Sequence, residues 1–173
     1  MALEEMKKNY ENLEGFKLEP QNQDYIFKTE DVINLSGKAY QDKRNKRNFF
    51  VKNHNYSVED YTKAKHMKGC VSLLKSWRLN KIKEIEEKDI DKMDSDLDAN
   101  EKCLELADKL GIKGIVVLVD NQVEGLIFGR QINEETCTMY FGKTNHSIKG
   151  LAQFIFSEFL KRYFASCNLV NDG

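Results

Sequence analysis

Apolar and polar residues change their spacing near residue 111, and the chain divides there. Upstream the spacing is mostly helical. Asp24 to Lys28 alternates and predicts a short strand. Thr29-Glu30-Asp31 has the form of an N-cap followed by acids, opening a short helix through Leu35 that Ser36-Gly37 breaks. A second helix is expected from Lys38 to about Lys52, with Tyr40, Phe50 and Val51 at near-helical spacing. Ser57-Val58-Glu59-Asp60 again resembles a cap with acids, and predicts a helix reaching Leu79 with Val71, Leu74 and Trp77 on its core face. The acidic stretch Glu84 to Asp98 shows the least order. A helix from about Ala99 to Leu110 follows, carrying Cys103, Leu104, Leu106, Ala107 and Leu110, with Gly111 as its C-cap.

Downstream the period is that of strands. Gly114 to Val119 is an apolar, β-branched run, and Asp120-Asn121 then marks a tight turn into Val123 to Ile132. Gly125 and Gly129 in the second strand predict a bulge or a close backbone approach. After the turn Asn133-Glu134-Glu135, Thr136 to Phe141 alternates as a third strand. A loop from Gly142 to Ser147 feeds a helix over about Ile148 to Phe164, which buries Leu151, Ile155, Phe159 and Tyr163. Cys167 to Val170 forms a last short strand. N-terminal helices, an antiparallel meander, a helix and a closing strand predict an α+β (mixed α/β) domain.

Composition narrows this without changing it. The chain has 173 residues, enough for one ordinary domain but cramped for two. Ten Phe and seven Tyr argue against a disordered chain. No apolar run approaches the roughly 20 residues a membrane span needs, and the charged start Met1 to Tyr10 is not a secretory signal. Cys70, Cys103, Cys137 and Cys167 lie far apart with no metal-ligand spacing, so reduced thiols in a cytoplasmic protein are expected.

Charge is more informative locally than in total. The net charge of −1 hides a segment from Lys38 to His54 with six basic residues against Asp42, and a segment from Glu84 to Glu101 with nine acids against two lysines. A basic helix of this kind can meet an anion, or can be a solvated face.

Two places could carry chemistry. The loop Asn145-His146-Ser147-Ile148-Lys149-Gly150-Leu151-Ala152 leads into a helix start, where free amides and the helix dipole attract a phosphate or carboxylate. Ser147, Lys149, Gly150 and Ala152 are the cofactor-binding candidates, with Gly150 letting a ligand approach the backbone; packing against a sheet also explains a Gly and an Ala there. No nucleophile–base set is legible: His54, His66 and His146 fall in different segments, the first two on expected surface helices. Phe154 and Phe159 read as core.

The basic segment carries a resemblance. Gly37-Lys38-Ala39-Tyr40-Gln41-Asp42-Lys43-Arg44-Asn45-Lys46-Arg47-Asn48-Phe49-Phe50, preceded by Asp24-Tyr25 and Leu35, resembles the C-terminal domain of phosphatidylglycerol lysyltransferases. Trp77, Glu101, Val119, Phe128-Gly129, Lys143 and Lys149-Gly150 follow in the family's order, so the resemblance runs over about residues 24–172. It implies a GNAT-like fold, usually present as two tandem halves, of which this chain matches the second. Residues 1–23 would be an extension or the remnant of a first half, and 24–173 the domain, truncated at its C-terminal end.

The same resemblance implies an acyl- or aminoacyl-transferase, with acetyl-CoA or an aminoacyl-tRNA as donor. Lys43, Arg44 and Asn45 would contact an anion or substrate together with Asn168 and Asp172, and Lys143 is the candidate catalytic residue. Where the family carries a Glu–Lys pair this chain has Gly142-Lys143. Of the family's Asn-Arg-Glu signature and following Asp and Gly it keeps Asn168, Asp172 and Gly173. Those departures hold open a non-catalytic binding or regulatory module. An ion pair of Arg44 with an acid such as Glu101 would likewise make the basic block structural. A missing half implies an exposed apolar surface, hence a homodimer or a separate first-half partner.

Overall fold

The computed structural model describes residues 24–83, 86 and 89–172; the N-terminal segment 1–23, part of the acidic stretch and Gly173 lie outside it. Among the described residues there are six strands and five helices. They run β1 (Ile26–Lys28), α1 (Thr29–Asn34), α2 (Gln41–Asn53), β2 (Tyr56–Asp60), α3 (Lys63–Lys81), α4 (Ile90–Leu110), β3 (Lys113–Val119), β4 (Gln122–Gln131), β5 (Thr136–Thr144), α5 (Leu151–Tyr163) and β6 (Leu169–Asn171).

All six strands form one sheet in the order β1-β6-β5-β4-β3-β2. Neighbours are antiparallel except β5 and β6, which are parallel because α5 crosses between them. β3 is buried on both faces. Ile115, Val117 and Val119 meet Phe50 of α2 and Leu151, Phe154 and Ile155 of α5. Val116 faces Cys70 and Leu74 of α3 and Leu104 of α4. The sheet is therefore the middle of three layers, with α1, α2 and α5 on one side and α3 and α4 on the other.

The meander follows its pattern closely. Asp120 and Asn121 take positive φ (50° and 65°), as a two-residue hairpin turn requires. Register shifts opposite Glu124 and Tyr140 create two bulges, beside the glycines that predicted them. The second inverts the facing of β5: Met139 points to the α5 layer, whereas Phe141 points to the α3–α4 layer and stacks on Phe128 at 5.1 Å.

Four expectations are corrected. Ser57 to Asp60 does not open a helix; it is edge strand β2, paired with β3 from Tyr56↔Val119 to Asp60↔Ile115. Its Tyr56 and Val58 pack inward at period two, which a helix would not allow. Helix α3 starts at Lys63, and its best-buried stripe is Cys70, Leu73 and Leu74, with Val71 and Trp77 on its flank.

Helix α4 begins at Ile90, inside the acidic stretch, because Met93, Leu97, Leu104 and Ala107 form a buried seam between the carboxylates. Leu106 and Leu110 are on its solvent side. His66 is buried rather than on the surface: its Nδ1 accepts the Thr62 N–H at 3.0 Å, which caps α3, and its Nε2 reaches Glu59 at 3.0 Å. Thr29 is the first residue of α1, not its cap, since its N–H is drawn to the Asn168 carbonyl at 3.0 Å as the β1–β6 ladder ends.

Candidate functional site

β5 and β6 share hydrogen bonds only over Thr136 to Thr138, opposite Leu169 to Asn171. From Met139 onward β5 pairs with β4 alone among the described residues, and the Tyr140 bulge starts there. The two strands part at this point. Beside the end of β6, under the first turn of α5, lies a cavity of about 220 Å³. Its walls are Phe27, Val32, Leu35 and Phe156, and its polar groups belong to Tyr40, Lys43, Gln153 and Asp172.

Three sequence-selected residues from distant segments, Lys43, Ala152 and Asp172, line this cavity. Asp172 is exposed at the rim of the cavity; partial loss of water raises its carboxyl above the usual range, and the nearby Lys43 ammonium opposes that rise. Tyr40, Phe156 and Gln153 were not singled out from sequence. Tyr40 does sit three residues before Lys43, on one helical face with it.

The other selected residues go elsewhere. Arg44 donates to the backbone carbonyls of Leu35 and Gly37 (3.1 Å to Gly37), so it ties α1 to α2, and it has no acidic partner such as Glu101 among the described residues. Leu35 sits at positive φ, 51°, and its carbonyl is thereby turned toward that guanidinium. Arg47 does similar work, donating to the Ile33 carbonyl at 3.1 Å beside Ser157 of α5. Lys46 pairs with Asp42 at 2.8 Å, and Asn45 is exposed. Much of the basic block is therefore engaged within the fold.

Gly150 has φ 87°, and a Cβ there would stand 1.9 Å from the Lys46 carbonyl oxygen; the backbone that approaches it is α2. Lys149 lies over the Phe49 ring at 4.9 Å. Asn168 serves through its backbone, its N–H reaching Glu135 at 2.8 Å. Lys143 is on the opposite face of the sheet, 4.0 Å from the centre of the Trp77 ring and 3.3 Å from the Asp96 carboxylate.

Ser147 belongs to a second concavity, on the α3 side. This long open cleft of about 1050 Å³ runs between α3, the β3–β4 turn and the β5–α5 loop. The loop is held by Asn145, whose side chain bonds Glu124 (2.8 Å) and accepts the Ser147 N–H (3.0 Å).

No helix among the described residues is long and apolar enough to cross a membrane. A family model described as phosphatidylglycerol lysyltransferase, C-terminal, matches residues 2–171. Comparison with curated proteins gives no match. Among solved structures, a conserved protein of unknown function from Bacteroides thetaiotaomicron is 27% identical with a TM-score of 0.74, over 86% of this chain and 49% of its own.

The C-terminal domain of a putative lysylphosphatidylglycerol synthetase from Agrobacterium fabrum is similar with a TM-score of 0.55 at 11% identity, over 87% of this chain and 45% of its own. L-PGS from Bacillus licheniformis gives 0.55 at 12%, with the same coverages. These two matches are of fold alone, and the fold is mixed α/β and GNAT-like. The chain spans about half the length of the structures it matches.

Proposed function

The chain belongs to the phosphatidylglycerol lysyltransferase C-terminal domain family, and on that premise we propose that it is an aminoacyl- or acyl-transferase domain whose small cavity holds the transferred group. The convergence of Lys43, Ala152 and Asp172 on one cavity at the end of β6 carries this reading. At about 220 Å³ the cavity is smaller than the roughly 300–1,000 Å³ of drug-sized ligand sites. It suits one short chain rather than a whole nucleotide.

In this reading the apolar walls hold the chain of the acyl group. Aminolysis or alcoholysis of an ester develops negative charge on the carbonyl oxygen, which the Lys43 ammonium would stabilise. Asp172, more basic than an ordinary carboxylate, would take the proton of the attacking group. An aminoacyl ester is favoured over acetyl-CoA as donor, because α2 stands against Gly150, where a diphosphate would approach the start of α5. A first-half partner or a second copy would supply what the domain lacks for turnover.

A second reading is a module that kept the fold without the chemistry. It is favoured by Gly142 in the place of the family's acid and by Lys143 being bound to Trp77 and Asp96. Thermal unfolding with an aminoacyl-tRNA or with acetyl-CoA separates the two. A donor at about 100 times its dissociation constant stabilises by roughly 2.7 kcal/mol, and this shift is expected with the aminoacyl ester and reduced in Lys43→Glu. No shift with either donor overturns the transferase reading in favour of the module.

A further inference from the structure

We infer that the group held in the cavity at the end of β6 is an aminoacyl group with a bulky, neutral, apolar side chain of leucyl or phenylalanyl size. This rests on the transfer reading and names the substrate class of the same site. Polarity is graded along the cavity. Lys43 and Asp172 are exposed at its mouth, whereas Val32 and Leu35 are buried at its floor and the half-buried rings of Phe27 and Phe156 complete its walls. An ester held between the charged groups of the mouth therefore sends its side chain onto apolar surface. Each methylene buried there adds about fourfold in affinity.

A cationic side chain finds no counter-ion at that floor. Asp172 is the one carboxylate among the described lining residues, and in the transfer reading the attacking group takes it. The Lys43 ammonium, 5.7 Å from the centre of the Tyr40 ring, already places a positive charge at the mouth. The α1 carbonyls that could solvate a second ammonium are engaged: Arg44 donates to Leu35, and Arg47 donates to Ile33 at 3.1 Å, where the Ser157 hydroxyl also donates at 2.8 Å. The remaining polar lining groups, on Tyr40 and Gln153, are neutral. An ammonium buried without a partner is strongly disfavoured. The inward-turned arginines of the basic block thus select against a lysyl group.

Size sets the lower limit. An apolar cavity of about 150 Å³ is enough to hold benzene. At about 220 Å³ this one has room for an isobutyl or benzyl chain. A glycyl or alanyl group would leave most of it empty and would forgo the affinity that its walls offer.

Nuclear magnetic resonance titration of the full chain with amino-acid amides tests this without turnover, the Ala152 backbone amide and the Gln153 side-chain amide reporting the site. Leucinamide and phenylalaninamide are expected to bind at least about tenfold tighter than alaninamide. Norleucinamide, which has the four side-chain carbons of lysine without the ammonium, should bind at least about tenfold tighter than lysinamide. Ala152→Leu narrows the mouth at an exposed helical position and should weaken leucinamide at least about tenfold; Val32→Phe, which fills the floor, should do the same. Lysinamide binding as tightly as norleucinamide overturns the inference and leaves the transfer reading standing. So does equal affinity for alaninamide and leucinamide, or leucinamide binding that survives in Ala152→Leu. Absence of binding by every amide up to about 20 mM, well beyond the affinity expected of so small a ligand, also overturns it. Thermal stabilisation by an aminoacyl-tRNA then decides whether the transfer reading falls as well.

Discussion

The Lys143 ammonium lies 4.0 Å from the centre of the Trp77 ring, joining β5 to α3 across the core edge. Asp96 of α4 receives the same ammonium at 3.3 Å. One side chain thus links three elements, β5, α3 and α4. A well-desolvated cation–π contact contributes up to about 2 kcal/mol. Lys143→Ala should lower unfolding free energy by about 1–2 kcal/mol in urea titrations and shift Trp77 fluorescence. An unchanged midpoint and spectrum would rule out this bracing role.

Gly150 and Gly37 form a matched pair. Both have positive φ, 87° and 80°, but a Cβ at Gly37 meets open space while one at Gly150 meets the Lys46 carbonyl at 1.9 Å. Gly37→Ala should therefore cost only the backbone term of about 1–2 kcal/mol. Gly150→Ala must also push α2 off α5, and should cost at least about 3 kcal/mol or prevent folding. Equal losses in the two variants would contradict the close approach.

Acid stability follows from three carboxylates held below their ordinary pKa values. Lys65 and His66 lower Glu59; Tyr163 and Arg162 lower Asp60; Arg78 lowers Asp94, which it grips with two bonds of 2.5 and 2.7 Å. A depressed carboxyl pKa stabilises the fold above the unfolded value and loses that contribution as pH falls through the folded one. Stability should hold from neutrality to about pH 5 and drop below the ordinary values of 4.5 and 3.8. Asp94→Asn should flatten part of the decline in a chemical-denaturation series between pH 5 and 3.

Asp172 has the opposite sign. Its raised pKa means that the fold prefers the protonated form, so stability is lost as pH climbs through its ordinary 3.8 toward the folded value. Asp172→Asn should raise Tm at pH 7 and abolish transfer while leaving donor-dependent stabilisation in place. A lowered Tm would mean that the carboxylate is a structural partner instead.

The thiols should be unreactive while the chain is folded. Burial pushes Cys70 and Cys137 to about 12 and Cys103 to about 11, and raises Cys167 too. At pH 8 the thiolate fraction is then very small. Ellman's reagent is expected to titrate four thiols in guanidinium and almost none within minutes in buffer.

Period alone made the meander legible. β-branched residues from Ile115 to Val119, Asp120-Asn121 and two glycines beside their bulges are local signals, and the sheet used them as they stood. Helix α5 was equally plain, since Leu151, Ile155 and Phe159 form one apolar stripe. The acids hid the first turns of α4 because a seam of single apolar residues, Met93 and Leu97, is diluted among charges until α3 packs on it. At Ser57 to Asp60 the local preference for a cap lost to a whole row of hydrogen bonds offered by β3.

Sequence by itself determined the element types downstream of Gly111, the family and the residues worth watching, because these depend on neighbours a few positions apart. Tertiary structure alone decided their roles. It turned Arg44 inward to carbonyls, set α2 against Gly150, carried Lys143 to the far face and brought Lys43, Ala152 and Asp172 to one cavity. The physical reason is that a side chain's facing depends on long-range register. One bulged residue, Tyr140, inverts all that follows it in β5, and no window of sequence records which face a distant helix will cover.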